Sequence, residues 1–350
     1  HIKNVPGRKT DVLDCQWIQE LHTYGLLRGA FRPADEICQL RAYVRQRAML
    51  VSESSAYIQR IQKALEQMNV KLSEVIRDVT GMTGMKIITA ILNGEHDPQV
   101  LATLRDHRCK RDEQTIAEAL RGHWRDEHLF ALKQSVDMWR YHSSLIDECH
   151  SKIEEVLGYM PDLSDGQLLT STGKSTKRRN DLSFDGRAAL FQMTGVDLTA
   201  IEGIEEVTAL TIVSEIGIDM SRWENSHKFA SWLALCPGNN KSGGYNRSGR
   251  NRRSSNRAAQ ALRLAANGLW NSKSALGAFL RRMAARRGKS VAIKATAHKL
   301  AKIVYSMLKH GAEYVAKSQD YYERMYRDRR ISNLKRHAKD LGFELTPKAA

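Results

Sequence analysis

Ser242 stands immediately before Gly243 and Gly244, and Arg247, Arg250, Arg252 and Arg253 follow it in the stretch SGGYNRSGRNRR. A serine hydroxyl is a weak nucleophile that needs activation and exposure. Paired glycines remove side chains where a nucleic-acid backbone would have to approach. Guanidinium groups match phosphate oxygens bidentately and stabilise the charge that develops in phosphoryl transfer. The combination suits a hydroxyl that meets a phosphodiester. No histidine lies nearby in sequence to act as base, so the residues alone favour a phosphate-binding loop over a nucleophile.

Asp11 and Asp14 are the second candidate group. They fall in the first turn of TDVLDCQWIQELHTYGLL, a helical pattern with Thr10 as its N-cap. Leu13, Trp17, Ile18 and Leu21 define one apolar arc, with Asp14 inside it and Asp11 at its edge. A carboxylate facing a core is costly unless something compensates it. Mg²⁺ would do so, since it takes one or two carboxylates together with water and phosphate oxygens. By spacing alone the simpler reading is a pair of first-turn aspartates favoured by the helix dipole.

The charge distribution supports a polyanionic partner. The net charge is +16, and the window 241–310 alone holds 17 Lys and Arg with no Asp or Glu. A one-signed segment of this kind implies nucleic acid before a solvated face or acidic lipid. No apolar run approaches the roughly 20 residues that span a bilayer. Cys15, Cys38, Cys109, Cys149 and Cys236 are scattered singly, which argues against zinc and a disulfide framework and for a reducing, cytoplasmic compartment.

The elements that must carry these residues read as mainly α. Residues 1–40 form a first block. Residues 41–157 read as a coiled-coil domain with a helical tip. Within it, Val51, Ser54, Ile58, Ile61, Leu65, Met68, Leu72, Val75 and Val79 keep alternating steps of three and four. A second tract runs Leu129, Leu132, Val136, Trp139, Ser143, Ile146, His150, Ile153 and Leu157. Each predicts roughly 43 Å of helix, and the two could fold back as an antiparallel pair or mediate dimerisation. His150 reads as a polar seam residue rather than a ligand. Residues 158–197 are rich in Gly, Ser, Thr and charge and read as a linker. In residues 198–318, LTAIEGIEEVTALTIVSEIG predicts a short helix, a turn at Gly203 and a second helix from about Val207, a helix-hairpin-helix pattern whose second glycine is replaced by Glu205. Helices are expected over 257–269 and 290–314, and residues 319–350 read as a charged helical tail.

GRKTDVLDCQWIQELHTYGLLRGAF, the coiled-coil segment, IEGIEEVTALTIVSEIG, FASWLALCPGNNKSGGYNRSGRNRRSSNRAAQALRLAA and IKATAHKLAKIVYSML together resemble the DEDD-type transposases of bacterial insertion sequences, the IS one-ten group. The resemblance implies that residues 1–40 are the C-terminal part of a RuvC-like α/β domain and that residues 198–318 are the transposase domain. It implies that Ser242 is a nucleophile joining covalently to a DNA end. Asp11 and Asp14 would be the last two members of a four-carboxylate Mg²⁺ site. Its partners would be element-end and target DNA, a structured bridge RNA that pairs with both, and further copies of the chain, as dimer or tetramer, in a nucleoid-associated bacterial setting. The first Asp and the Glu of that set would lie upstream of residue 1. Because the chain opens without Met, the expectation is a fragment. The alternatives are a metal-dependent RuvC-like nuclease or transposase without a covalent intermediate, and a non-catalytic nucleic-acid binder.

Overall fold

Thr10 starts the first helix by accepting a hydrogen bond at Oγ1 from the Leu13 N–H, 3.3 Å away, and α1 then runs Asp11–Thr23. In the computed structural model, described over residues 10–27, 30–169, 178–236, 238–242, 245–249, 256–311 and 319–344, the chain forms two compact units, residues 1–34 and 35–350. In the first unit α1 is the one regular element among the described residues, and it buries none of its residues. The apolar arc is present, with Trp17 and Leu21 half-buried, but Asp14 is exposed. The expected cost of a carboxylate facing a core therefore does not arise.

The second unit begins with α2, Asp35–Gln67, and contains α7, Asp126–Gly158, each 33 residues and about 50 Å long. The two pack side by side within one chain. Arg47 Nε donates to His150 Nε2 at 2.7 Å, while Glu53 Oε2 lies 3.2 Å from His142 Nε2. Ile61 and Leu65 then share a core with Leu132 and Val136. Residue numbers rise along one helix as they fall along the other, so the pair is antiparallel. Arg47 is buried and always charged, so His150 must offer a lone pair at Nε2 and is neutral there. Its ring lies in the seam between the two helices.

Between them lies the tip, made of α3 (Leu72–Val75), α4 (Met82–Leu92), α5 (Pro98–Thr103) and α6 (Glu113–Ala119). Asp97 and Asp112 cap the last two by accepting from Gln99 N and Thr115 N. The first heptad tract overruns its helix here. Asn69 adopts φ +59° and ends α2, and Met68, Leu72 and Val79 are buried in the tip core instead. A three-four spacing persists wherever apolar residues are needed, so it did not reveal the break.

The second half of the expected linker is folded. Asp185 caps α8, Gly186–Thr194, by accepting from Ala188 N, and Leu182, Leu190, Met193 and Val196 are buried. Asp197 ties this helix to the next turn of chain: its carboxylate accepts from Arg187 at 2.6 Å and from Thr199 Oγ1 at 2.6 Å. Burial would push that carboxyl up, but the hydrogen bonds and charge of Arg187 and those of Thr199 outweigh it and hold it below its ordinary value. A depressed native pKa stabilises the fold above the unfolded value of about 3.9 and loses that contribution as pH falls through the native value. Asp197→Asn is therefore expected to flatten the acid limb of unfolding below about pH 4, read by tryptophan fluorescence. An unchanged acid limb would remove Asp197 from the acid response.

The first arm of the predicted helical hairpin is a single 3₁₀ turn, Leu198–Ala200, and the second is α9, Glu206–Ile216. Gly203 between them has φ +86°, and a Cβ there would sit 2.8 Å from the Ala265 carbonyl oxygen. The glycine is needed for close packing on α11, Arg257–Gly268. Gly203→Ala is expected to cost about 2 kcal/mol or more from backbone strain and displacement, measured as a lower urea midpoint. Glu205 precedes α9 and meets Arg178 at 2.7 Å, so its charge faces a cation of the protein itself. After α9 come α10 (Ser226–Trp232), a two-stranded antiparallel hairpin of β1 (Gly238–Ser242) and β2 (Tyr245–Gly249), α11, α12 (Ala275–Arg287) and α13 (Lys289–His310). α13 ends at His310 with Gly311 at φ +60°, and the expected helix end at Tyr314 lies outside the described residues. Leu300, Ala301 and Val304 of α13 lie buried with Phe229 of α10 and Leu262 of α11. The tail is α14, Gln319–Asp340, held on α12 by the Arg282 guanidinium 3.6 Å from the Tyr326 ring centre. No helix among the described residues is long and apolar enough to cross a membrane.

Candidate functional site

The stretch that begins with Ser242 reads as a loop, but its first half is part of a β-hairpin. Ser242 is the last residue of β1 and pairs with Tyr245, the first of β2. Gly243 and Gly244 fall between the paired ends and, with Arg250, Arg252 and Arg253, lie outside the described residues. A Gly-Gly pair between two extended runs is a hairpin signal legible in sequence. Arg247 is opposite Asn240, two pairs down the ladder from Ser242 and so about 7 Å along it.

Both roots of the hairpin are anchored. Leu233 and Leu235 are buried just before β1. After β2, Asn256 Oδ1 caps α11 by accepting from Ala259 N at 3.2 Å, and Ala258 and Ala259 are buried. Ser242 ends a short strand, and the described residues before the hairpin, up to Cys236, and after it, from Asn256, belong to packed helical structure.

Asp11 and Asp14 belong to the other unit. They lie three residues apart at the start of α1, both exposed. That spacing puts them on one side of the helix. Two exposed carboxylates one turn apart fit Mg²⁺, which is bound through few protein oxygens and keeps several waters. Among the described residues no group of three His, Cys, Asp or Glu is gathered for a metal.

Sequence reasoning missed a group near the first root of the hairpin. Lys302 Nζ lies 3.1 Å from His227 Nε2, and the rings of His227 and His298 are 6.1 Å apart. Burial, together with the charges of Lys302, His227 and Lys299, pushes His298 below its ordinary value. Lys294 is likewise lowered, mainly by burial and then by Arg263, while Cys236 acts in the opposite sense. His227 is 71 residues from His298 in sequence, so no local search joins them. One signal was legible: Lys294, His298 and Lys302 recur at steps of four, which is one face of a helix.

Two family models match this chain. One, described as the transposase IS116/IS110/IS902 family, covers residues 197–279 and so contains the hairpin and Ser242. The other, a transposase model of the DEDD, IS110 type, covers residues 2–70 and contains Asp11 and Asp14. A search of curated proteins returned no match.

Proposed function

From a chain that carries transposase domains of the IS110 family, we propose an RNA-guided DNA recombinase that acts through a covalent serine intermediate. The observation that carries this reading is the place of Ser242. It closes a strand, is followed by two glycines, and stands within a matched transposase segment and at the start of a window without a carboxylate.

In the proposed reaction Ser242 Oγ attacks a phosphodiester. The Oγ–P bond forms as a P–O3′ bond breaks, the serine proton passes to a base, and the leaving 3′ oxygen takes up a proton. The energy of the broken ester is kept in the phosphoserine link, so the released 3′-hydroxyl can later attack that link and rejoin strands without ATP. Arg247, Arg250, Arg252 and Arg253 hold phosphate oxygens and offset the charge that develops on them. Gly243 and Gly244 leave room for the backbone of the DNA. Asp11 and Asp14 would hold Mg²⁺, which when bound positions phosphate oxygens and stabilises their charge. Pairing with a structured guide RNA would choose the element ends and target, while the basic domain reads backbone and shape. The working form is an oligomer of this chain.

The test is incubation of the protein with Mg²⁺, candidate guide RNA and labelled element-end DNA, then a denaturing gel with and without protease. A retarded band that protease removes is the expected result. Cleaved DNA without that band would favour a metal-dependent reaction through the carboxylates. Salt-dependent binding with no cleavage would leave a nucleic-acid binder.

A further inference from the structure

The window 241–310 contains no Asp or Glu, yet it is folded into packed helices. Its cations are consequently brought together without counter-ions from their own segment. On α13 the residues Lys294, His298 and Lys302 share one face. α10, which carries His227, and α11, which carries Arg263, both pack on α13, with Lys302 Nζ 3.1 Å from His227 Nε2, the two histidine rings 6.1 Å apart and the charge of Arg263 acting on Lys294. No carboxylate among the described residues makes an ion pair with any of these five side chains. The repulsion among Lys294, Lys302 and Arg263, in a partly desolvated place, would be relieved by an anion that accepts several hydrogen bonds at once.

Cys236 precedes the first residue of β1 by two positions, and the charges of Lys294 and Lys302 reach its thiol, opposing the rise that burial causes. The cationic group thus lies by the root of the strand that ends in Ser242. From Gly238 to Ser242 that strand spans about 13 Å. Along the axis of a DNA duplex this distance corresponds to about four base-pair steps.

We propose that Lys294, Lys302, His227, His298 and Arg263 form a seat for a phosphate of the DNA strand, a few nucleotides from the bond addressed by Ser242. The seat rests on the reading that this chain acts on DNA. It holds the strand at a second point, which fixes its direction along the hairpin before chemistry.

The test uses the full chain and a mixed-sequence duplex DNA of 30 base pairs. Alkylation of Cys236 by iodoacetamide is followed by peptide mass, with and without DNA, on the unmutated protein. DNA is expected to slow alkylation at Cys236 while leaving exposed Cys15 as the reference. In parallel, the Lys294→Gln, Lys302→Gln double variant is expected to reduce the salt slope of DNA binding by about one, the contribution of one phosphate. Cys236 unprotected by DNA, or a salt slope unchanged in the double variant, overturns the seat. Equal protection by inorganic phosphate, or stronger protection by duplex RNA, overturns its assignment to DNA. Ser242→Ala is expected to leave both readouts intact, so failure of the covalent chemistry and failure of the seat are read separately.

Discussion

Ser242→Ala is expected to abolish the protease-sensitive DNA adduct and to lower strand exchange by at least about a thousandfold, because removing a nucleophile removes the step it performs. The backbone at this position is a strand end paired with Tyr245, which alanine accommodates, so the fold and the salt dependence of DNA binding should be preserved. Ser242→Cys keeps a nucleophile at the same place and is expected to form a residual adduct through sulfur. Asp11→Asn and Asp14→Asn test the other half of the proposed site. If adduct forms at full rate in Ser242→Ala, the serine is a phosphate-binding residue and the chemistry belongs to the carboxylates.

Arg45→Ala is expected to cost about 3 kcal/mol, whereas Glu215→Gln costs about 1 kcal/mol. The two side chains form a bidentate pair, Nε–Oε1 and Nη2–Oε2 both 2.8 Å, between α2 and the end of α9. Their burial is unequal. Glu215 is 7% exposed and Arg45 46% exposed. Without Arg45 the carboxylate remains buried, with Arg41 Nε at 3.5 Å as its remaining cation. Without the carboxylate charge Arg45 can turn to water, and Arg41 still donates to the Ser214 and Glu215 carbonyl oxygens at 3.0 and 2.8 Å. Replacing Arg45 and Glu215 together by leucine is expected to fall between wild type and Arg45→Ala, because no buried charge is then left unpaired. Urea unfolding of the four proteins measures the order. Equal losses in the two single variants would sink the account based on unequal burial.

What was legible in the sequence is what short-range rules control. Thr10 and the acidic first turn marked the start of α1, since a cap needs three residues of chain and no partner. The three-four spacing marked α7 from Leu129 to Leu157 and the part of α2 from Val51 to Leu65, because an apolar face is a property of one helix. The composition of residues 241–310 marked a cationic domain. Tertiary structure decided the rest. Both tracts could serve a dimer or a hairpin; Arg47 and His150, 103 residues apart, meet within one chain. The tract continued past Gln67 because Met68, Leu72 and Val79 are apolar for the tip core, and periodicity does not encode the reversed backbone of Asn69. Gly203 marked a turn, but its closeness to the Ala265 carbonyl depends on α11 folding over it. His227 and His298 meet only because α10 and α13 pack against each other. Capping and periodicity act over one or two turns, while these contacts depend on which faces of distant helices bury each other.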